Sequence, residues 1–361
     1  MRVLIAPDKF AGTLTAVEAA DAISAGWRRH APDDELDLAP MADGGPGFVD
    51  VLHEALGGEL SAVVVTGPGQ ERVPGAVLHR GEQAWVESAQ ACGLALTGGE
   101  RAESATSWGV GELLMHAIEA GATDIVVGLG GTGTNDGGAG LLGALGATAD
   151  RPLDQGVTGL EGVTTVDLGP ARARLEGVTL TCASDVDSPL TGLFGATKTF
   201  GPQKGIPEDR LPGVDGVLEQ LATATDRRTS LVKGAGAAGG LGFALLLLGA
   251  RRRPGFDVVA DAVDLPGRIR AADLVLTGEG AFDFSSRSGK VPYGVATVAA
   301  EALRPCVALA GRVLVGSREM RALGIESAYA LVDLVGEELA LGDPAGSLAQ
   351  LAERVARTWS R

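Results

Sequence analysis

The chain has 361 residues, 45% of them hydrophobic and 21% charged, enough for two domains or one large α/β unit with a sizeable core. A formal charge of −16 argues against a broad nucleic-acid surface, because the overall field repels polyanions. Its 55 glycines follow no G-X-Y period, which excludes collagen, and they gather in short motifs as if backbone were brought close to a ligand.

Three distant cysteines, Cys92, Cys182 and Cys306, imply neither a disulfide framework nor structural zinc. The apolar run after the first methionine meets Asp8 too soon for a signal peptide, and the run 241–250 is too short to span a bilayer. These features predict a soluble cytoplasmic protein with no nucleic-acid or membrane partner.

Strand-like and helix-like segments alternate in chain order, as in an α/β fold. Residues 2–6 read as a buried strand. Thr15 and Glu18 form a capping box, so a helix should run to about His30 and stop before Pro32. A strand at 35–39 and a helix at 48–56 follow. From 60 to 87 the pattern changes to short β runs, which suggests a domain boundary near residue 60. A helix at 108–120 leads to a strand at 124–128, a glycine-rich loop and a helix through Leu145. Further strands are expected at 178–183, 273–277 and 306–310, with a helix at 291–303. No fixed-period repeat and no long linker is evident.

Polar and glycine residues collect where these strands end. Residues 2–6 lead into Pro7-Asp8-Lys9, and 35–39 into Met41-Ala42-Asp43-Gly44-Gly45. The strand 124–128 leads into GGTGTNDGG (130–138), and 178–183 into Ser184-Asp185-Val186-Asp187. Residues 273–277 precede Gly278-Glu279-Gly280, with Asp283 just beyond, and 306–310 precede Gly311-Arg312. Acids and glycines make turns in any protein. Six such ends together point instead to ligand binding beyond the carboxyl edge of a sheet.

The loop at 128–138 could hold phosphate on helix-start amides, and Asn135 with Asp136 suits Mg²⁺ beside a phosphate. Gly128, Gly130 and Gly133 fit G-x-G-x-x-G, as do Gly234, Gly236 and Gly239. These matches leave a nicotinamide-dependent oxidoreductase as an alternative, and a non-catalytic sensor as another. A Walker A loop is absent. Only five of the 30 basic residues are lysines: Lys9, Lys198, Lys204, Lys233 and Lys290. All lie in or beside the glycine- and acid-bearing segments. Lys9, Lys204 and Lys290 are the candidates for anion contacts, whereas Lys198 and Lys233 read more simply as surface residues.

Taken together, APDKFAGTLTA (6–16), PMADGGPG (40–47), GLGGTGTNDGGAGLLGALGA (128–147), SDVDSPLTG (184–192), FGPQKG (200–205), GAGAAGGLG (234–242) and LTGEGAFDFSSRSGKVPYGVA (276–296) resemble the type I bacterial glycerate kinases. The motifs occur in family order over almost the whole chain. Lys9 with Ala11, Gly133 and Ser188 depart from the family's usual residues.

The resemblance implies ATP- and Mg²⁺-dependent phosphorylation of D-glycerate, with 2-phosphoglycerate favoured over 3-phosphoglycerate. It also implies two α/β domains with the active site in the cleft between them. One is flavodoxin-like and built from residues 1–60 and 230–361; the other is formed by 61–229. Catalytic candidates are then Asp8, Asp43, Asp185, Asp187 and Lys290, with either Asp8 or Asp43 as base. Asp136, Asp185 and Asp187 are the metal candidates. Substrate and phosphate contacts are expected from Lys9, Lys204, Gly130, Gly131, Thr132, Asn135, Gly137, Gly236, Glu279 and Asp283. Lys204 and Lys290 would neutralise the moving phosphoryl group or hold the glycerate carboxylate. Whether the chain self-associates is left open.

Overall fold

The computed structural model describes residues 1–10, 12–283 and 290–360. Ala11 and residues 284–289 of the motif at 276–296 lie outside the described residues. Contacts divide the chain into two compact units, Met1–Asp43 with Asp50–Leu56 and Phe256–Arg361, and Gly44–Val49 with Gly57–Gly255.

The strands begin with β1 (Arg2–Pro7) and β2 (Glu35–Leu38). The middle of the chain supplies β3 (Glu59–Thr66), β4 (Arg72–Arg80), β5 (Gln83–Glu87), β6 (Asp124–Gly128), β7 (Thr148–Ala149), β8 (Val166–Asp167), β9 (Thr179–Ala183) and β10 (Arg251–Arg253). The last part adds β11 (Leu274–Phe282), β12 (Cys306–Val313) and β13 (Ser327–Ala330).

In the first unit a parallel sheet has the order β13-β12-β11-β1-β2. Counted within the unit this is 2-1-3-4-5, and the order reverses between β1 and β11. Buried parallel strands need apolar side chains on both faces; Val3, Leu4, Ile5, Leu274, Val275 and Leu276 are all fully buried. The helix Ala16–His30 starts at the capping box: Glu18 N donates to Thr15 Oγ1 (3.1 Å) and Thr15 N donates to Glu18 Oε2 (2.8 Å). It packs on the helix Pro344–Trp359 at Gly26, where a Cβ would lie 1.9 Å from the Ala349 carbonyl oxygen. Only glycine permits so close an approach.

The strand expected at 273–277 runs on to Phe282, so Glu279 and Gly280 lie on a strand rather than in a loop. They pair with β12, Glu279 opposite Ala310, whereas β1 ends at Pro7 opposite Gly278. The extension of β11 beyond β1 brings Glu279 to the open end of its shorter neighbour.

The second unit has a mixed sheet in the order β10-β9-β6-β5-β4-β3. β3, β4 and β5 pair antiparallel, while β5, β6, β9 and β10 run parallel. This hairpin portion is the source of the altered sequence pattern after residue 60. The unit continues to Gly255, beyond the return at 230 expected from the sequence. The intervening residues supply part of its core, including Ala235, Phe243, Ala244 and Leu245. Among the described residues, no helix is long and apolar enough to cross a membrane.

Candidate active site

In the first unit the reversal of strand order opens between the carboxyl ends of β1 and β11, the location where open α/β sheets bind ligands. Asp8 follows β1 directly and is buried; its backbone N–H donates to the Gly278 carbonyl oxygen at 2.8 Å. Lys9 Nζ lies 3.5 Å from Asp8 Oδ1 and 3.5 Å from Asp43 Oδ1. A second lysine repeats the arrangement: Lys290 Nζ is 3.6 Å from the buried Glu279 and 3.8 Å from Asp283.

Burial pushes the Asp8 carboxyl up to about 7, with Lys9 opposing and the negative charges of Asp43 and Glu279 adding to the rise. A carboxyl half-ionised near neutrality can accept a proton from an alcohol and later release it. Burial works against the Lys9 ammonium, yet Asp8 and Asp43 outweigh it and leave its pKa raised. Asp8, Lys9, Asp43, Glu279, Asp283 and Lys290 therefore form one neighbourhood in this unit, as Asp8 feels both Asp43 and Glu279. Lys290 is the N-cap residue of the helix Val291–Glu301, so Asp283 does not cap that helix.

The second unit spends its charges differently. Asp136 is fully buried, and its carboxylate accepts from Ser107 N (2.9 Å), Ser107 Oγ (2.7 Å), Gly138 N (3.0 Å) and Gly140 N (3.2 Å). Burial pushes its pKa up, and these four donors oppose the shift. These contacts give Asp136, expected from the sequence to face a metal, a framework role: it holds the loop to the start of the helix Ala139–Ala144 and to Ser107. Asp187 is held by cations instead. It is exposed, and its two oxygens face Lys233 Nζ (3.1 Å) and an Arg252 guanidinium nitrogen (2.8 Å). The hydrogen bond from Lys233, with Arg252 beside it, holds its pKa low. A metal ion would have to displace two cations. Asp185, the remaining metal candidate, is half-buried after β9.

Two glycines expected at the phosphates donate to other loops. Gly137 N donates to the Gly239 carbonyl oxygen at 2.9 Å, and Gly236 N to the Ser188 carbonyl oxygen at 2.9 Å. Neither amide is available to a phosphate. The two glycine loops zip onto each other: a Cβ on Gly239, at φ +68°, would lie 2.0 Å from the Thr134 carbonyl oxygen. The run GAGAAGG follows the helix Arg227–Ser230 rather than a strand, so it is not a dinucleotide fingerprint. Asn135 is buried and donates from Nδ2 to Thr197 Oγ1 at 2.9 Å, a tie from the loop to the helix Ala196–Phe200.

What stays open is a cleft of about 120 Å³ lined by Gly130, Gly131, Thr132, Phe200 and Lys204, among others. Lys204 is buried and donates to the Thr134 carbonyl oxygen (2.7 Å) and to Thr132 Oγ1 (3.3 Å). Burial lowers its pKa to about 8. Lys9 and Lys290 are half-buried, while Lys198 and Lys233 are exposed, the division read from the sequence.

A family model described as the glycerate kinase family matches residues 3–360. The chain belongs to the glycerate kinase family. It is 38% identical to a Bacillus subtilis glycerate kinase, over 99% of this chain and 96% of that protein. It is 37% identical to the glycerate 2-kinase of Escherichia coli, over 93% and 92%. A crystal structure described as a glycerate kinase 2 from Salmonella typhimurium superposes with a TM-score of 0.82 at 37% identity, covering 99% of this chain and 98% of that one.

Against this family background, several supporting residues escaped the sequence reading. Glu87, at the end of β5, accepts from Gly47 N (3.1 Å) and Val49 N (3.3 Å), fixing the segment that packs on Gly130 and Gly131. Ser88 Oγ donates to the Gly128 carbonyl oxygen at 2.7 Å, and Ser107 anchors Asp136. Glu87-Ser88 is itself a polar pair at a strand end, the signal that was followed elsewhere. Ser107 carried no such signal.

Proposed function

We propose that this protein transfers the γ-phosphoryl group of ATP to a hydroxyl of D-glycerate, with 2-phosphoglycerate as the favoured product. The match to named glycerate kinases along nearly the whole chain carries this reading. The regiochemistry draws on the similarity to a glycerate 2-kinase. The oxidoreductase alternative has no support from the relatives, and one of its two glycine fingerprints lacks the preceding strand.

In-line phosphoryl transfer needs positioning and charge neutralisation more than covalent help from the protein. Asp8 is the preferred base over Asp43, because its pKa lies near neutrality. It would take the proton of the attacking hydroxyl as that oxygen bonds to phosphorus and ADP leaves. Lys290, positioned by Glu279 and Asp283, would neutralise the equatorial oxygens, and Lys9 would hold Asp8 and Asp43 in register.

The acid-rich donor set fits Mg²⁺, which needs only one or two carboxylates besides phosphates and waters. Asp185 is the residue of the expected metal set that would hold it, and it would supply charge neutralisation on the phosphates.

The strand order 2-1-3-4-5 supports reading the first unit as flavodoxin-like. Each unit carries only part of the required chemistry, acids with two lysines in one and open amides with a buried lysine in the other. The enzyme is read as a cytoplasmic one. Phosphorus NMR of the products from purified protein, ATP, Mg²⁺ and D-glycerate tests the reading. A 2-phosphoglycerate resonance appearing with ADP is expected; ATP unchanged in the presence of glycerate overturns it.

A further inference from the structure

Among the described residues, Lys204 is the lysine that is buried without a carboxylate within 4 Å. Its ammonium rests on a carbonyl and a hydroxyl, both neutral. An ammonium taken from water with only neutral partners is strongly disfavoured unless an anion joins it. Beside it, the amides of Gly130, Gly131 and Thr132 have no partner among the described residues, whereas those of Leu129, Gly133, Gly137 and Gly138 donate to protein oxygens. Lysine and amides border the same cleft, whose remaining walls include Leu94, Leu129 and Phe200.

We propose that this cleft is the carboxylate pocket for the acceptor acid: Lys204 Nζ and the 130–132 amides hold its single negative charge, and the apolar walls enclose its short carbon chain. The inference rests on the kinase reading for the identity of the acid. Three features favour a small carboxylate over a nucleotide. The cleft, at about 120 Å³, is of a size to take up a three-carbon acid. One lysine with neutral amides balances one charge rather than several. The lysines that stand among carboxylates, the setting that suits a metal-bound phosphate, are Lys9 and Lys290. A larger hollow of about 340 Å³ bordered by Glu71 and Glu100 sets two acids against any anion, with Arg101 as its one cation.

The pocket also has a pH signature. Lys204 loses its proton near pH 8, and the other charged or titratable groups facing it are Cys92, whose thiol burial pushes up to about 12, and Asp136. A bound carboxylate favours the protonated lysine, so acid affinity is full below about pH 8 and falls above it.

Calorimetry on the full chain without nucleotide tests the pocket directly. D-Glycerate and its deoxy analogue D-lactate should bind and glycerol should not, with affinity declining above pH 8. Competition by inorganic phosphate as strong as that by D-lactate overturns the proposal. In steady-state assays K204M should raise the KM for D-glycerate by at least about tenfold, the scale of a lost charged hydrogen bond, and leave the KM for ATP within about twofold. An unchanged glycerate KM, or an equal or larger rise for ATP, also overturns it while leaving the kinase reading intact. Conversely, D-glycerate binding without any ADP release removes the kinase reading and leaves the pocket standing. Because calorimetry uses the wild-type chain, the test survives even if K204M fails to fold.

Discussion

In the first unit, Lys9 and Lys290 each stand 3.5 to 3.8 Å from two carboxylates. In the second, the buried acid Asp136 is enclosed by hydrogen-bond donors, and the buried cation Lys204 has only neutral partners. The same residue types thus do different work. Acids and lysines that pair with one another at a sheet edge keep ionisation states responsive to substrate. An acid sealed behind four donors has become part of the loop's framework, and a lysine sealed without an acid has become a site for someone else's charge. Burial and partner count, rather than residue type, separate these roles.

Several substitutions sharpen or break that contrast. D8N should have the largest effect, lowering kcat by about 10²–10⁴-fold as expected for loss of a general base. The same change should raise Tm at pH 8. A carboxyl whose pKa is raised from 3.8 to about 7 in the folded state contributes most to stability below 3.8, and that contribution is lost as pH climbs to 7. Removing the ionisable group therefore helps only above that range. Near-normal turnover in D8N would transfer the base role elsewhere.

K290M should follow, with kcat reduced by about 10²-fold or more through lost stabilisation of the transferring group, and little change in glycerate KM. If its glycerate KM rises instead, the two lysine environments do not divide the work as described.

D136N should act on stability first. It sets an amide among four donors, and disruption of such a buried network costs about 3 kcal/mol, readable as a lower urea midpoint. A stable D136N that has lost only its dependence on Mg²⁺ would return Asp136 to the metal. At the small end, D187N removes an exposed acid from a surface pair worth at most about 1 kcal/mol. Its Tm and kcat should stay close to those of the wild type, and a collapse in kcat would show that the Lys233 and Arg252 pairing gives way to metal.

The pH–rate profile joins both units in one measurement. kcat/KM for glycerate should rise with pH through about 7 as Asp8 ionises and fall above about 8 as Lys204 deprotonates. D8N should erase the rising limb. K204M should flatten the falling one.

Much of this architecture was legible in the chain. The capping box at Thr15 and Glu18, the apolar runs that became β1, β6 and β12, and the hairpin pattern after residue 60 are local signals, fixed by near neighbours. The scarcity of lysine singled out Lys9, Lys204 and Lys290, and the in-order motifs carried the family. Less visible was the partner of each polar group. Asp136 and Asp187 carry the same side chain in similar strand-end contexts, yet one is closed by Ser107, 29 residues away, and the other by Lys233, 46 residues away.

The sequence by itself determined the alternation of elements, the family and the short set of residues able to do phosphoryl chemistry, because each depends on composition and local spacing. Only the tertiary structure decided which of those residues remain free to act. Availability depends on long-range packing: Gly137 and Gly236 lost their amides to other loops, Glu279 reached Asp8 because β11 outruns β1, and Lys204 was buried beside a cleft with no carboxylate within 4 Å.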